Sequence, residues 1–147
     1  MLLVAPQNSR ASIFCVPSHA PALSLIRQHI PRLLAVYAFG SRVQSSAHTD
    51  SDWDLAVLVE GYADPVQLWD TAHELSDLLR SEVDLLDFRA ASTVMQYQIL
   101  TKGERWWARD AQAALYEAAV LSEMVELNRA RAPLLADIIA SGRVYGR

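Results

Sequence analysis

The sequence predicts a small mixed α/β (α+β) domain, a mixed sheet flanked by helices with a helical tail at its C-terminal end. Three observations predict it. Short apolar runs of strand length alternate with segments whose apolar residues recur at helical spacing. One run, Leu55-Ala-Val-Leu-Val59, is continuously apolar, which suits a strand covered on both faces. The chain has 147 residues, enough for one core of ordinary size.

The elements follow in order. Residues 1–20 mix apolar and turn residues and read as an irregular arm with at most one short strand. Cys15, the single cysteine, lies there as a small apolar residue, so neither an intrachain disulfide nor a cysteine zinc site is expected. Pro21 suits a first helical position, and Leu23, Ile26 and Ile30 continue at helical spacing to Pro31. Val36-Tyr-Ala-Phe39 reads as a strand ended by Gly40. A polar stretch, 41–51, leads through a short helix to a second strand over Asp54–Glu60. Asp64-Pro65 is a cap followed by proline at the first helical turn, and Leu68, Ala72, Leu75 and Leu79 then share one face with Trp69 and Leu78 beside them. Val83–Phe88 is a third strand, and Ser92 caps a short helix carrying Val94, Met95 and Ile99 as far as Gly103. Arg105–Ala108 is a fourth strand. A helix from Ala111 to Arg131 is expected to break at Pro133, with one or two further turns through Leu134, Leu135, Ile138 and Ile139 up to Gly142. The domain proper is taken as 21–110, and 111–147 as a tail packing on that domain or on a partner.

Composition narrows the function. With 52% apolar and 20% charged residues the chain is globular. Its 13 Lys and Arg are outnumbered by 17 Asp and Glu, a net charge of −4, which argues against direct nucleic-acid binding. The start lacks a basic segment followed by a long apolar run, so no secretory signal is expected. The longest clean apolar run, Leu33–Phe39, is far short of the roughly 20 residues that cross a bilayer, so a cytoplasmic protein without membrane association is expected.

The usual nucleotide loops and the His-Glu-x-x-His zinc motif are absent. Present instead is Gly40-Ser41, ten residues, then Asp52-Trp53-Asp54. Where a strand begins, its period of two turns both carboxylates to one face. Paired carboxylates repel unless a cation lies between them, and Mg²⁺ favours one or two carboxylates plus substrate phosphates. Glycine lets backbone approach a phosphate, and Ser41 adds a hydroxyl donor. Asp84, in the third strand, shares the face of Asp54 if the two strands are neighbours. Three carboxylates facing a glycine-serine turn suit a metal-bound triphosphate.

These residues resemble a known family. Gly40-Ser41-x10-Asp52-x-Asp54 is similar to the signature of the DNA polymerase β-like nucleotidyltransferase superfamily. Tyr37-Ala-Phe-Gly-Ser-Arg42, Ser51-Asp-Trp-Asp-Leu-Ala-Val57 and Val83-Asp-Leu-Leu-Asp87 look like its MntA-type minimal nucleotidyltransferases, over about residues 25–108. The resemblance implies a nucleotidyltransferase fold, with Gly40 and Ser41 binding the triphosphate of ATP. It implies that Asp52 and Asp54 ligate Mg²⁺, with two metal ions at the site. Asp84 completes the metal site and helps deprotonate the acceptor. It further implies an antitoxin of a HEPN/MNT toxin–antitoxin pair, transferring AMP from ATP to a tyrosine hydroxyl of a HEPN ribonuclease toxin. The family often continues Gly-Ser-Arg-Ala-Arg-Gly, whereas Val43, Gln44 and Ser45 follow Arg42 here. If the missing arginine holds phosphate in the family, nucleotide affinity is lower in this chain.

Other residues are weighed against these. Arg42 is a candidate phosphate contact or an exposed turn arginine. Asp87, three residues from Asp84, falls on the opposite strand face and is the lesser candidate for third carboxylate. Asp50 is read as solvated, and His19, His29, His48 and His73 are given no ligand role. Trp53 faces away from its flanking aspartates and is assigned to packing. Trp106 and Trp107 are expected on opposite faces of their strand. Leu121, Met124, Val125 and Asn128 share one helix side, read as core unless it proves exposed, which would mark a partner site. Two rival functions remain: an antitoxin that neutralises its toxin by contact with a vestigial site, and a small-molecule transferase of the aminoglycoside-modifying kind. The second lacks an acceptor-binding domain after residue 110.

Overall fold

The computed structural model describes residues 19–40, 43 and 52–141, with side chains of the last helix as far as Pro133. Helix α1 (Ala20–His29) leads into β1 (Leu33–Phe39), β2 (Trp53–Val59), α2 (Pro65–Leu79), β3 (Val83–Asp87), α3 (Thr93–Lys102), β4 (Glu104–Ala108) and α4 (Ala111–Ser141). Cys15, the expected arm and its strand, the helix expected within 41–51, Asp50 and His48 lie outside the described residues.

The helix starts follow their local chemistry. Asp64 accepts a hydrogen bond from the Val66 amide at 3.0 Å, with Pro65 in the first turn of α2, and Ser92 accepts from Met95 at the start of α3. In α1, Pro21 occupies the first turn without a side-chain cap.

The four strands form one sheet in the order β3-β2-β1-β4. β1 is antiparallel to both β2 and β4, and β2 is parallel to β3. Strand β1 begins at Leu33 rather than Val36, because a turn with Arg32 at φ 58° delivers Leu33 and Leu34 already buried. Pleating then splits the core. Val36, Ala38, Leu55, Val57, Val59, Val83 and Leu85 face α1 and α2. Ala35, Tyr37, Ala56 and Leu58 face α3 and α4. On that second side the Tyr37 hydroxyl donates to Glu117 Oε2 at 2.7 Å, and Arg105 grips the same carboxylate at 3.1 Å, tying α4 to the sheet.

Three expectations change. Helix α4 runs without interruption through Pro133 to Ser141. Proline removes one backbone donor and crowds the carbonyl four residues back, which weakens a helix locally. Its fixed φ is still helical, and alanine- and leucine-rich turns flank it on both sides. Second, Trp106 and Trp107 do not divide between the two sheet faces. Val36 pairs with Trp107 and Tyr37 with Arg105, so Trp106 is an extra residue, a β-bulge. The bulge suspends alternation, and both indoles pack on the α1–α2 side, Trp107 beneath the Arg27 guanidinium. Third, Met124 is buried in the described fold, whereas Leu121 and Val125 are 40% and 53% exposed. Trp69 on α2 is also mostly exposed, with His73 against its ring. Among the described residues no helix is long and apolar enough to cross a membrane.

Candidate functional site

One end of the sheet gathers the end of β1 and the starts of β2, β3 and β4. This follows from pairing: Phe39 stands opposite Asp54, Asp54 beside Asp84, and Ala38 opposite Glu104. Residues far apart in sequence therefore meet at one edge.

Gly40 closes β1 there. Its φ of 82° lies in the left-handed region, which glycine adopts freely and other residues do not. The Val43 amide donates to the Gly40 carbonyl at 3.2 Å and closes a tight turn. A Cβ at Gly40 would overlap the Asp54 carboxylate at Oδ2. The glycine thus turns the chain and lets the backbone lie directly against that carboxylate. Ser41 and Arg42 lie outside the described residues.

Asp52 and Asp54 flank Trp53 at the start of β2. Asp54 is in phase with Ala56 and Leu58 and lies on the α3–α4 side of the sheet. Asp84 is its direct neighbour in the parallel register and is exposed. The Trp53 amide donates to the Glu82 carbonyl at 2.8 Å, joining the two strand starts. The Asp54 carboxyl titrates above the ordinary aspartate range, first through desolvation, then through the charges of Asp84 and Asp52. The charges of Asp84 and Asp52 therefore both act on Asp54 at this edge.

Among the described residues, no three His, Cys, Asp or Glu side chains close round one point as a metal cage. Mg²⁺ does not need one, since it keeps water and phosphate ligands beside one or two carboxylates. An all-oxygen donor set with a raised aspartate pKa suits such a hard cation.

Asp87 lies elsewhere. It is buried in phase with Val83 and Leu85, and its two oxygens accept from the amides of Ala63 at 2.9 Å and Arg89 at 3.0 Å. It holds the β2–α2 connection to the end of β3. Of the histidines described, His29 pairs with Glu74 at 3.0 Å and His19 stacks on Trp106.

Gly103 was legible only as the end of α3. A Cβ there would come within 2.6 Å of the Ala38 and Ile99 carbonyl oxygens and 3.1 Å of Phe39 Cβ. Glycine lets the end of α3 press against the end of β1, behind the Gly40 turn. The sequence signal is present, a glycine between a lysine and the next strand, but its close approach is tertiary.

Comparison with known proteins agrees with this geometry. The family model described as polymerase β nucleotidyltransferase matches residues 23–112. The chain is 35% identical over 119 residues to protein adenylyltransferase MntA of Shewanella oneidensis, covering 81% of this chain and 86% of that protein. Among solved structures it is similar to a chain of a toxin–antitoxin crystallised with AMP-PNP, at 35% identity and a TM-score of 0.70, covering 80% of this chain and 94% of that one. It is also similar to a chain of the complex between the tri-AMPylated Shewanella oneidensis HEPN toxin and its MNT antitoxin, at 31% identity and a TM-score of 0.67 over 83% and 96% of the two chains. Motif, sheet order and these similarities converge: the chain belongs to the polymerase β-type nucleotidyltransferase family.

Proposed function

We propose that this protein is a Mg²⁺-dependent protein adenylyltransferase. It transfers AMP from ATP to a tyrosine hydroxyl of a cognate HEPN-type ribonuclease toxin and so acts as its antitoxin in the cytoplasm. The observation that carries this reading is the convergence of Gly40, Asp54 and Asp84 at one sheet edge. Similarity to MntA, and to structures bearing AMP-PNP and an AMPylated HEPN toxin, supports the substrate and partner.

The roles divide by chemistry. The Gly40 turn brings backbone close to the triphosphate, with Ser41 donating to a phosphate oxygen and Arg42 adding positive charge. Asp52 and Asp54 hold Mg²⁺, and Asp84 completes the set. Mg²⁺ held there would offset the phosphate charge and favour deprotonation of the acceptor hydroxyl. Asp84 accepts the acceptor's proton and passes it to solvent. The tyrosine oxygen forms a bond to the α-phosphorus as the bond to the bridging oxygen of the β-phosphate breaks. Pyrophosphate leaves with that electron pair. Residues 21–110 form the catalytic unit, and 111–147 are a tail whose first half docks on it through Ala113, Val120 and Met124.

The test incubates the protein with ATP, Mg²⁺ and the product of the neighbouring open reading frame, reading intact mass of the partner. The expected result is a gain of adenylyl units, lost in Asp52→Asn. No gain, with ATP shown to bind, overturns transfer. Protection of cells by the Asp52→Asn, Asp54→Asn double variant points to neutralisation by contact instead.

A further inference from the structure

We propose that Lys102, the single lysine of the chain, binds the β- and γ-phosphates of the nucleotide and holds them as they leave as pyrophosphate. The inference rests on the reading above, which puts the triphosphate at the Gly40 turn and makes Asp84 the base.

Lys102 is the last residue of α3. Beside it, Gly103 is packed so closely that a Cβ there would meet the Ala38 carbonyl oxygen at 2.6 Å and Phe39 Cβ at 3.1 Å. Phe39 precedes Gly40, and a Cβ on Gly40 would overlap Asp54 Oδ2. The last turn of α3 is thus wedged behind the Gly40 turn, on the sheet face to which Asp54 belongs. Lys102 follows Met95 by seven residues, almost two full turns, so the two share one side of the helix. On that side Met95 lines a cavity with Leu86 and Asp87 of β3. Lys102 therefore leaves α3 at the β1 end of the edge, on the side of the helix that faces β3, with a flexible four-carbon stem to carry its ammonium.

Its surroundings leave that charge available. Lys102 is exposed, and among the described residues it pairs with no carboxylate. Arg105, near the start of β4, is held by Glu117 through contacts of 3.1 and 3.2 Å. Arg80 ends α2, on the other face of the sheet. A triphosphate brought to Asp52, Asp54 and Asp84 adds negative charge to negative charge, so a cation at this edge attracts the nucleotide and offsets the repulsion. An ammonium is a compact point charge with three donors, suited to phosphate oxygens. A lysine in a last helical turn also offsets the negative end of the helix dipole, a role that needs no nucleotide.

The order of residues along the edge assigns the phosphates. The strand order β3-β2-β1-β4 sets out Asp84, Asp54, the Gly40 turn and then Gly103 across it. In an in-line displacement the attacking and leaving oxygens lie on opposite sides of the α-phosphorus. With Asp84 taking the proton of the attacking hydroxyl at the β3 end, the leaving phosphates lie toward the β1 end, where Lys102 stands. As the bond breaks, its electron pair moves onto the bridging oxygen, and Lys102 stabilises the charge that develops there. No proton passes through Lys102.

The experiment measures binding of AMP-PNP and of AMP, each with Mg²⁺, by calorimetry in wild type, Lys102→Ala, Lys102→Gln and Lys102→Arg. AMP transfer, its inhibition by pyrophosphate, and thermal melting are read on the same proteins. Loss of one hydrogen bond to a charged group corresponds to about 10–100-fold, so Lys102→Ala and Lys102→Gln should weaken AMP-PNP binding by about that factor and leave AMP binding unchanged. In both, kcat should fall and pyrophosphate should inhibit less than in wild type, while Lys102→Arg keeps most of the wild-type behaviour. Unchanged AMP-PNP affinity in folded Lys102→Ala overturns the inference and leaves the helix dipole as the role of Lys102. An equal loss of AMP and AMP-PNP affinity overturns it too. Should the alanine variant melt early, Lys102→Gln decides by the same measurements. Wild type that needs Lys102 to bind AMP-PNP yet transfers no AMP overturns only the assigned reaction. Wild type that binds no AMP-PNP overturns both.

Discussion

Asp54 and Asp84 stand side by side in the parallel register of β2 and β3, 30 positions apart in the chain. Partial burial of Asp54, and after it the charges of Asp84 and Asp52, hold the Asp54 carboxyl above its ordinary range. The sign of the consequence is fixed by linkage. A carboxyl whose folded pKa is raised binds its proton more tightly when folded, so it favours folding at low pH. That contribution is lost as pH rises through its folded pKa. Asp54→Asn should therefore melt higher than wild type at neutral pH, with the gap closing toward pH 4. Mg²⁺ should raise the melting temperature of wild type more than that of the variant. Melting curves across pH, with Mg²⁺ and with EDTA, check both.

Gly40→Ala tests the contact between the turn and the Asp54 carboxylate at the sheet edge. The left-handed backbone alone costs about 1–2 kcal/mol for a residue with a Cβ. The new Cβ must also displace the Asp54 carboxylate. AMP transfer should fall by at least tenfold, a larger loss than the stability change explains. Urea denaturation and transfer rates on the same preparation separate the two.

Asp84 and Asp87, three residues apart, should behave oppositely. Asp84→Asn should cost activity without lowering stability, since Asp84 is exposed and its charge raises the Asp54 pKa. Asp87→Ala leaves the amides of Ala63 and Arg89 without their acceptor in a buried site. That should cost about 1–3 kcal/mol of stability. Matched effects in both assays would contradict the separation of roles.

Tyr37→Phe removes the hydrogen bond to Glu117 that links β1 to α4. Bonds to charged groups contribute about 1.5–3 kcal/mol, and here Glu117 keeps Arg105, so the lower end is expected. Burial, followed by the Glu117 contact, raises the Tyr37 pKa far above its usual value, so the hydroxyl stays a donor throughout the accessible pH range. The stability difference should therefore persist up to alkaline pH, as urea denaturation at pH 7 and pH 10 will show.

Local chemistry decided much of this protein. The turn glycine at 40, the Asp-x-Asp start of a strand, the caps at Asp64 and Ser92 and the doubly buried run from Leu55 all act through neighbours within a few residues. Their patterns are written in order along the chain. Periodicity also assigned Asp52, Asp54 and Asp84 to compatible strand faces. It could not make β2 and β3 neighbours, because strand order depends on which faces the helices cover. Nor did it show the extra residue at Trp106, since a bulge exists only relative to the partner strand it fails to match. Helical spacing placed Leu121 and Val125 on one side of the last helix and Trp69 beside the apolar face of its own, yet all three are exposed in the described fold. Tertiary structure alone brought the Ala63 amide to Asp87, pressed Gly103 against β1 and put Trp106 behind Trp53. Each of these depends on contacts between segments distant in sequence, where no local rule reaches.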